Sequence, residues 1–221
     1  MNEEIRNFWN TRAFHKNEEP SPESQVLVDF VETLKPKKTL EVGSNWGREL
    51  KLLEGKTQLY GIDFNPLMIS QARKFLKKAE FKVAEATEIP YPDNFFDLVY
   101  TDGLLSHIPP ENVEKAISEI IRVSKKHCLL IEYLGTQLGT NTIGNCKKFT
   151  WIHDFSKLIF KFDLSIKYKN SLVLGTDSYQ VLLLEKNVPK IVEKIVKIVE
   201  KVKEPFFMLK IGKFKFKLEK E

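Results

Sequence analysis

Between Thr39 and Glu132 short apolar runs and amphipathic segments take turns along the chain, and this alternation restricts the fold more than any other feature. Thr39–Val42, Gln58–Ile62, Phe81–Ala84, Asp97–Tyr100 and Cys128–Glu132 read as strands. Arg48–Leu53, Pro66–Lys77 and Glu111–Val123 carry apolar residues at helical spacing. Strands that alternate with helices imply βαβ units. The expected fold is therefore α/β, a doubly wound, mostly parallel sheet with helices on both faces.

The flanks follow other patterns. Residues 1–36 form an N-terminal cap segment with an apolar-aromatic patch (Ile5, Phe8, Trp9, Phe14) and a polar stretch ending in Pro20. Ser21 and Pro22 look like a helix start, followed by Val26, Leu27, Phe30, Val31 and Leu34 on one stripe that stops before Pro36. After Tyr133 a polar, Gly-rich stretch (135–147) precedes a helical reading over Phe149–Phe162 and strands at Leu164–Tyr168 and Tyr179–Glu185. The last segment, 188–221, reads as an amphipathic helix and a hairpin pairing Phe206–Ile211 with Phe214–Leu218 about Gly212-Lys213. This divides the chain into a body, 1–187, and a basic amphipathic extension, 188–221.

Composition excludes several classes. At 221 residues and 42% apolar, the chain can bury a core and is neither disordered nor fibrous. Two cysteines make no disulfide framework, and four scattered histidines give no metal-ligand cluster, so no metal is expected. Met1-Asn2-Glu3-Glu4-Ile5-Arg6 is acidic where a secretory leader is basic and then apolar, and no apolar run reaches the length of a membrane span. A soluble, cytoplasmic protein is expected. The net charge of +5 invites a polyanionic partner, but residues 188–221 carry 10 Lys against 5 acids, which leaves the body neutral. The extension packs on the body, joins two copies in a homodimer, or meets RNA or an anionic membrane surface. The interspersed glutamates weigh against the last two.

The chemical signal lies at Glu41-Val42-Gly43-Ser44-Asn45-Trp46-Gly47, where a strand runs through a glycine loop into a helix. In open α/β sheets ligands bind beyond the carboxyl ends of the strands. Asp63 ends the second strand 20 residues after Gly43, where a carboxylate would hold a ribose diol. An ordinary βα turn is the competing explanation, and Asp63 weighs against it. Asn45 stands where a dinucleotide loop needs glycine to admit pyrophosphate, and Glu41 would repel that group. Both favour a nucleoside without phosphates, such as S-adenosylmethionine.

Glu41-x-Gly43-x-Asn45-x-Gly47, Gly61-Ile62-Asp63-Phe64-Asn65-Pro66, Ala84-Glu85-Ala86, Ile89-Pro90-Tyr91-Pro92-Asp93 and Phe96-Asp97-Leu98-Val99 resemble, in order and spacing, the motifs of class I S-adenosylmethionine-dependent methyltransferases. Gly43-Ser44-Asn45-Trp46-Gly47, residues 101–108 and Leu129-Leu130-Ile131-Glu132-Tyr133 are most similar to methylases associated with pseudaminic acid biosynthesis. Asp102 departs from that subfamily, which has Lys before the glycine. The resemblance implies a Rossmann-like class I fold with S-adenosylmethionine as cofactor. It further implies that Glu41, Gly43, Ser44, Asn45 and Gly47 line the methionine side and that Asp63 takes the ribose hydroxyls. Phe64 would lie beside the adenine, Glu85 and Ala86 would meet its edge, and Thr101 would contact the amino-acid part.

On the acceptor side His107 follows the fourth strand and is the candidate general base, with support of the next helix as its plainer role. Trp9, Asp102 and Tyr133 are candidate substrate contacts, with His153 and Asp154 nearby in sequence. The expected activity is methyl transfer to a small molecule, a sugar or sugar-nucleotide. The alternatives are an RNA or protein methyltransferase and a catalytically silent binding module of the same fold.

Overall fold

The computed structural model describes residues 3–12, 24–136, 149–159, 161–162, 164–174, 177–186, 206–211 and 214–219. Five parallel strands, β1 (Lys38–Val42), β2 (Gln58–Asp63), β3 (Glu80–Val83), β4 (Phe96–Asp102) and β5 (Ser124–Thr136), are followed by antiparallel β6 (Ser165–Leu174) and β7 (Asp177–Glu185). With the hairpin β8 (Phe206–Ile211) and β9 (Phe214–Glu219), the sheet order is β3-β2-β1-β4-β5-β7-β6-β9-β8. Successive strands step outward from β1 in one direction to β3 and then in the other from β4. The crevice between the carboxyl ends of β1 and β4 is thus the switch point where such sheets bind ligands.

Strand alternation sorts the core into two layers. Leu98, Tyr100, Leu129 and Ile131 face α2 (Ser24–Leu34), α3 (Arg48–Leu52) and α4 (Pro66–Phe75), which bury Leu27, Phe30, Leu50, Ile69 and Ala72 against them. Leu40, Val42, Val99, Cys128 and Leu130 face α5 (Pro110–Val123), whose Val113, Ala116, Ile117 and Ile120 recur at helical spacing. Asn65 caps α4 by accepting the Leu67 N–H at 2.9 Å, with Pro66 in the first turn. Arg122 near the end of α5 ties down the β3–β4 connection through Glu119, Asp93 and the carbonyls of Ile89 and Tyr91.

Two readings change on the structure, and the expected hairpin is present. The N-terminal patch is a helix, α1 (Glu3–Arg12), whose Ile5 is buried. The helix expected over 149–162 shrinks to α6 (Phe155–Ile159), because Phe149 takes a left-handed φ of 69° and the chain from 151 to 154 runs irregularly to bring His153 under the β4 turn. In the hairpin, β9 makes the link to the sheet by pairing Leu172 with Leu218. The helix start at Ser21-Pro22 and the helix of the extension lie outside the described residues. Among the described residues no helix is long and apolar enough to cross a membrane.

Candidate functional site

The loop after β1 holds its shape through left-handed backbone. Gly43 (φ 82°), Asn45 (φ 49°) and Gly47 (φ 85°) all sit there, and asparagine is among the few side chains that accept it. The Gly43 and Ser44 amides both donate to the Ile62 carbonyl at 2.8 Å, tying the loop to the end of β2. A Cβ on Gly43 would come within 2.8 Å of the Leu104 side chain, so the glycine also admits the segment that follows β4.

Asp63 closes β2 with both carboxyl oxygens engaged, accepting the Asn45 N–H and the Asn65 N–H at 2.9 Å each. Burial raises its pKa and the two amides pull it back. An oxygen holding one amide keeps a second acceptor site, so the carboxylate can still take two hydroxyl donors. Around it lies a cleft of about 270 Å³. Its walls include Gly43, Asn45, Asp63, Phe64, Glu85, Ala86, Trp9, Asp102 and His107.

α1 borders this cleft through Trp9 and reaches its wall through Arg6. Arg6 pairs with Glu85 at 2.5 Å and its guanidinium stands 5.7 Å from the Phe64 ring centre. One turn on, the Trp9 ring packs on His107 with centroids 4.3 Å apart. Sequence reading assigned no role to Arg6, whose partner is 79 residues away.

Five expected site residues do not line the cleft. Glu41 is buried in the opposite layer, since Leu40 and Val42 take the other side of β1. Its carboxyl faces Tyr100 and Glu49, and burial followed by the Glu49 charge pushes its pKa well above the usual range. Glu49 in turn pairs with Arg48 at 2.6 Å and accepts from Ser24. Ser44 is packed under the loop beside Gly61, and Gly47 lies against the Phe81 ring. Thr101 is fully enclosed in β4 and faces Glu132. Tyr133 is buried opposite Tyr179 of β7, with ring centroids 5.7 Å apart. Its neighbour Glu132 points to the other face of β5, toward the Leu105–His107 turn, as the period of two in a strand requires.

Glu132 is the acid that sequence reading passed over. Completely buried, it accepts the Leu105 N–H at 2.9 Å and reaches the Ser106 N–H at 3.4 Å. Burial raises its pKa to about 7, against the lowering effect of Thr101 and the backbone amides. A carboxyl with a folded pKa above its ordinary value holds more protons folded than unfolded between about 4.5 and 7. Its contribution to stability is present below that window and is lost as pH rises through it. Thermal melts at pH 5, 6 and 8 should therefore show Glu132→Gln gaining on the wild type as pH rises. His127, pushed down to about 4 by burial, has the opposite slope and cancels in this difference.

Among the described residues the cleft is lined by three carboxylates (Asp63, Glu85, Asp102), by the Phe64, Trp9 and His107 rings and by no Lys or Arg, with Arg6 reaching Glu85 from α1. That set of acceptors suits a ribose diol and a cationic centre, and does not suit pyrophosphate. Residues 40–131 match the methyltransferase domain family. Phosphatidylethanolamine N-methyltransferase of Cereibacter sphaeroides is 33% identical over 95 residues, 40% of this chain and 46% of that protein. The chloroplastic tocopherol O-methyltransferase of Arabidopsis thaliana is 30% identical over 106 residues, 44% and 30% of the two chains. The chain spans less than half the length of these curated relatives. Magnesium protoporphyrin IX methyltransferase from Synechocystis PCC 6803, solved with bound SAH, superposes with a TM-score of 0.66 at 14% identity, covering 82% of this chain and 95% of that one. The chain has the Rossmann-like fold of class I methyltransferases, and residues 40–131 are similar to the methyltransferase domain family.

Proposed function

We propose that this protein transfers a methyl group from S-adenosylmethionine to a small-molecule acceptor. The observation that carries the reading is that the Asp63 carboxylate, the glycine loop, Trp9, Asp102 and His107 all line one cleft. Asp63 takes the ribose hydroxyls, Phe64 and Ala86 flank the adenine, and Glu85 accepts from its amino group once Arg6 withdraws. The Gly43–Asn45 backbone borders the amino-acid part. When bound, the cofactor supplies an activated sulfonium methyl, so the protein's task is to align a nucleophile and exclude water.

His107 stands in the acceptor wall with its ring against Trp9, placed to receive the proton of a hydroxyl acceptor. Replacing it with alanine should cut turnover about 100-fold while cofactor affinity, measured by calorimetry, stays within about threefold. Unchanged turnover removes His107 from the chemistry.

Asp102 makes this wall unsuited to an anionic group and favours a neutral hydroxyl or an amine. A sugar hydroxyl, as in the pseudaminic acid methylases that the sequence resembles, meets this condition, and a sugar-nucleotide does so with its phosphates outside the cleft. A cytoplasmic location accords with such an acceptor.

The test uses the full chain with methyl-labelled S-adenosylmethionine and a cell extract separated into small-molecule, RNA and protein fractions. Label in the small-molecule fraction is expected. Label confined to RNA or protein overturns the acceptor class, and failure to bind S-adenosylmethionine overturns the activity.

A further inference from the structure

The segment that carries His107 is a single 3-10 turn, Leu105–His107, hung between Gly103 and Pro109-Pro110. Such a turn has only two internal hydrogen bonds here, His107 N–H to the Leu104 carbonyl and Ile108 N–H to the Leu105 carbonyl. Left to these it would be a poor platform for a catalytic side chain. Three groups from distant elements bind further backbone groups of the turn. From β5, Glu132 accepts the Leu105 and Ser106 amides, which point out of the start of the turn. From the chain before α6, the His153 ring nitrogen Nε2 lies 3.0 Å from both the Leu105 and the Ile108 carbonyl oxygens. The Trp151 N–H donates to the Ser106 carbonyl at 2.8 Å. Carbonyls only accept, so His153 carries its proton on Nε2 and donates to both.

We propose that Glu132 and His153 are positioning residues that clamp the Leu105–His107 turn from its two ends and so fix His107 against Trp9 in the acceptor wall. The clamp rests on the proposed methyl transfer only for its purpose. Its geometry is independent of any ligand. The buried position of both side chains gives the arrangement a rigid frame, because each is held within the sheet or against it rather than in solvent. Leu104, at the entry to the turn, packs over Gly43, so the same clamp sets the distance between the acceptor wall and the glycine loop. The elevated pKa of Glu132 fits an acid kept for its acceptor oxygens and not for its charge.

The contact between Trp9 and His107 supplies the readout. In a background carrying Trp46→Phe and Trp151→Phe, the emission of Trp9 reports the neighbouring imidazole, and His107→Leu defines the signal when that contact is lost. The Trp151 amide is backbone and survives the substitution. Glu132→Leu removes the acceptor, and His153→Phe keeps the ring's packing on Phe155 but removes the donor. Each should move the emission at least halfway to the His107→Leu value, with S-adenosylmethionine affinity within about threefold of the parent. Glu132→Gln retains an amide oxygen for Leu105 and should restore the parent signal. If Glu132→Leu does not fold, His153→Phe and Glu132→Gln still decide the matter. Parent-like emission in a folded Glu132→Leu or His153→Phe protein overturns the clamp. So does an emission change that Glu132→Gln shares. Absence of cofactor binding in the parent overturns the methyl-transfer reading, and the emission results decide the clamp regardless.

Discussion

Asp63→Ala should lower the affinity for S-adenosylmethionine by at least about 100-fold, the largest loss expected of any single side chain in the cleft. Each charge-assisted hydrogen bond to a ribose hydroxyl is worth about 1.5–3 kcal/mol, so losing two removes roughly 3–4 kcal/mol or more. At about 1.4 kcal/mol per factor of ten this is several hundredfold. The alanine also releases the Asn45 and Asn65 amides that the carboxylate holds, loosening the loop that borders the other half of the ligand. Asp63→Asn keeps one carbonyl oxygen for these amides but turns its NH₂ toward the other, and should fall between wild type and alanine. Calorimetry with S-adenosylmethionine and a thermal melt of each variant separate the two contributions. Affinity within threefold of wild type in Asp63→Ala would place the ribose elsewhere.

Gly61→Ala should destabilise the protein by about 2–3 kcal/mol and weaken cofactor binding with it. The backbone at Gly61 is ordinary strand, so the cost is one of space. An added Cβ would lie 2.6 Å from the Phe81 ring and 2.7 Å from the Ser44 hydroxyl. Phe81 has little room to retreat, since its ring also touches the space above Gly47 and is buried against α4. Ser44 can retreat only by displacing the glycine loop. A fall in melting temperature of about 5–10 °C is expected for a domain of this size. Gly55→Ala provides the contrast, because that position has a φ of 83° and nothing within 4 Å of a new Cβ. Its cost is backbone strain alone, about 1 kcal/mol, with no effect on the cofactor. Equal effects at the two positions would remove the steric argument.

What could be read from the sequence follows the range of the interactions involved. The βαβ order, the glycine loop and Asp63 were legible because each is written in local spacing: a period of two, a period of 3.6, or 20 residues between a turn and a strand end. Glu41 looked like a cofactor contact for the same local reason. The strand's alternation, once Leu40 and Val42 are placed in the α5 layer, puts it on the far side, where it meets Glu49 and Tyr100. Tyr133 reads as a candidate contact because it follows the fifth strand, while an acid inside Leu129–Tyr133 has no local explanation. Its explanation is a turn 27 residues earlier in the chain. His153 reaches back 45 and 48 residues, and Arg6 forward 79, and no motif spacing records such distances. The Leu105–His107 turn and the α1 contacts with Glu85 and His107 are built almost wholly from contacts of this kind.

One ten-residue helix carries both Arg6 and Trp9, three positions and about 4.5 Å of rise apart. A helix moves as a rod over that length. A rigid displacement of α1 therefore acts on the Arg6–Glu85 pair and on the Trp9–His107 contact together, so two contacts on opposite sides of residue 7 are coupled through one short rod.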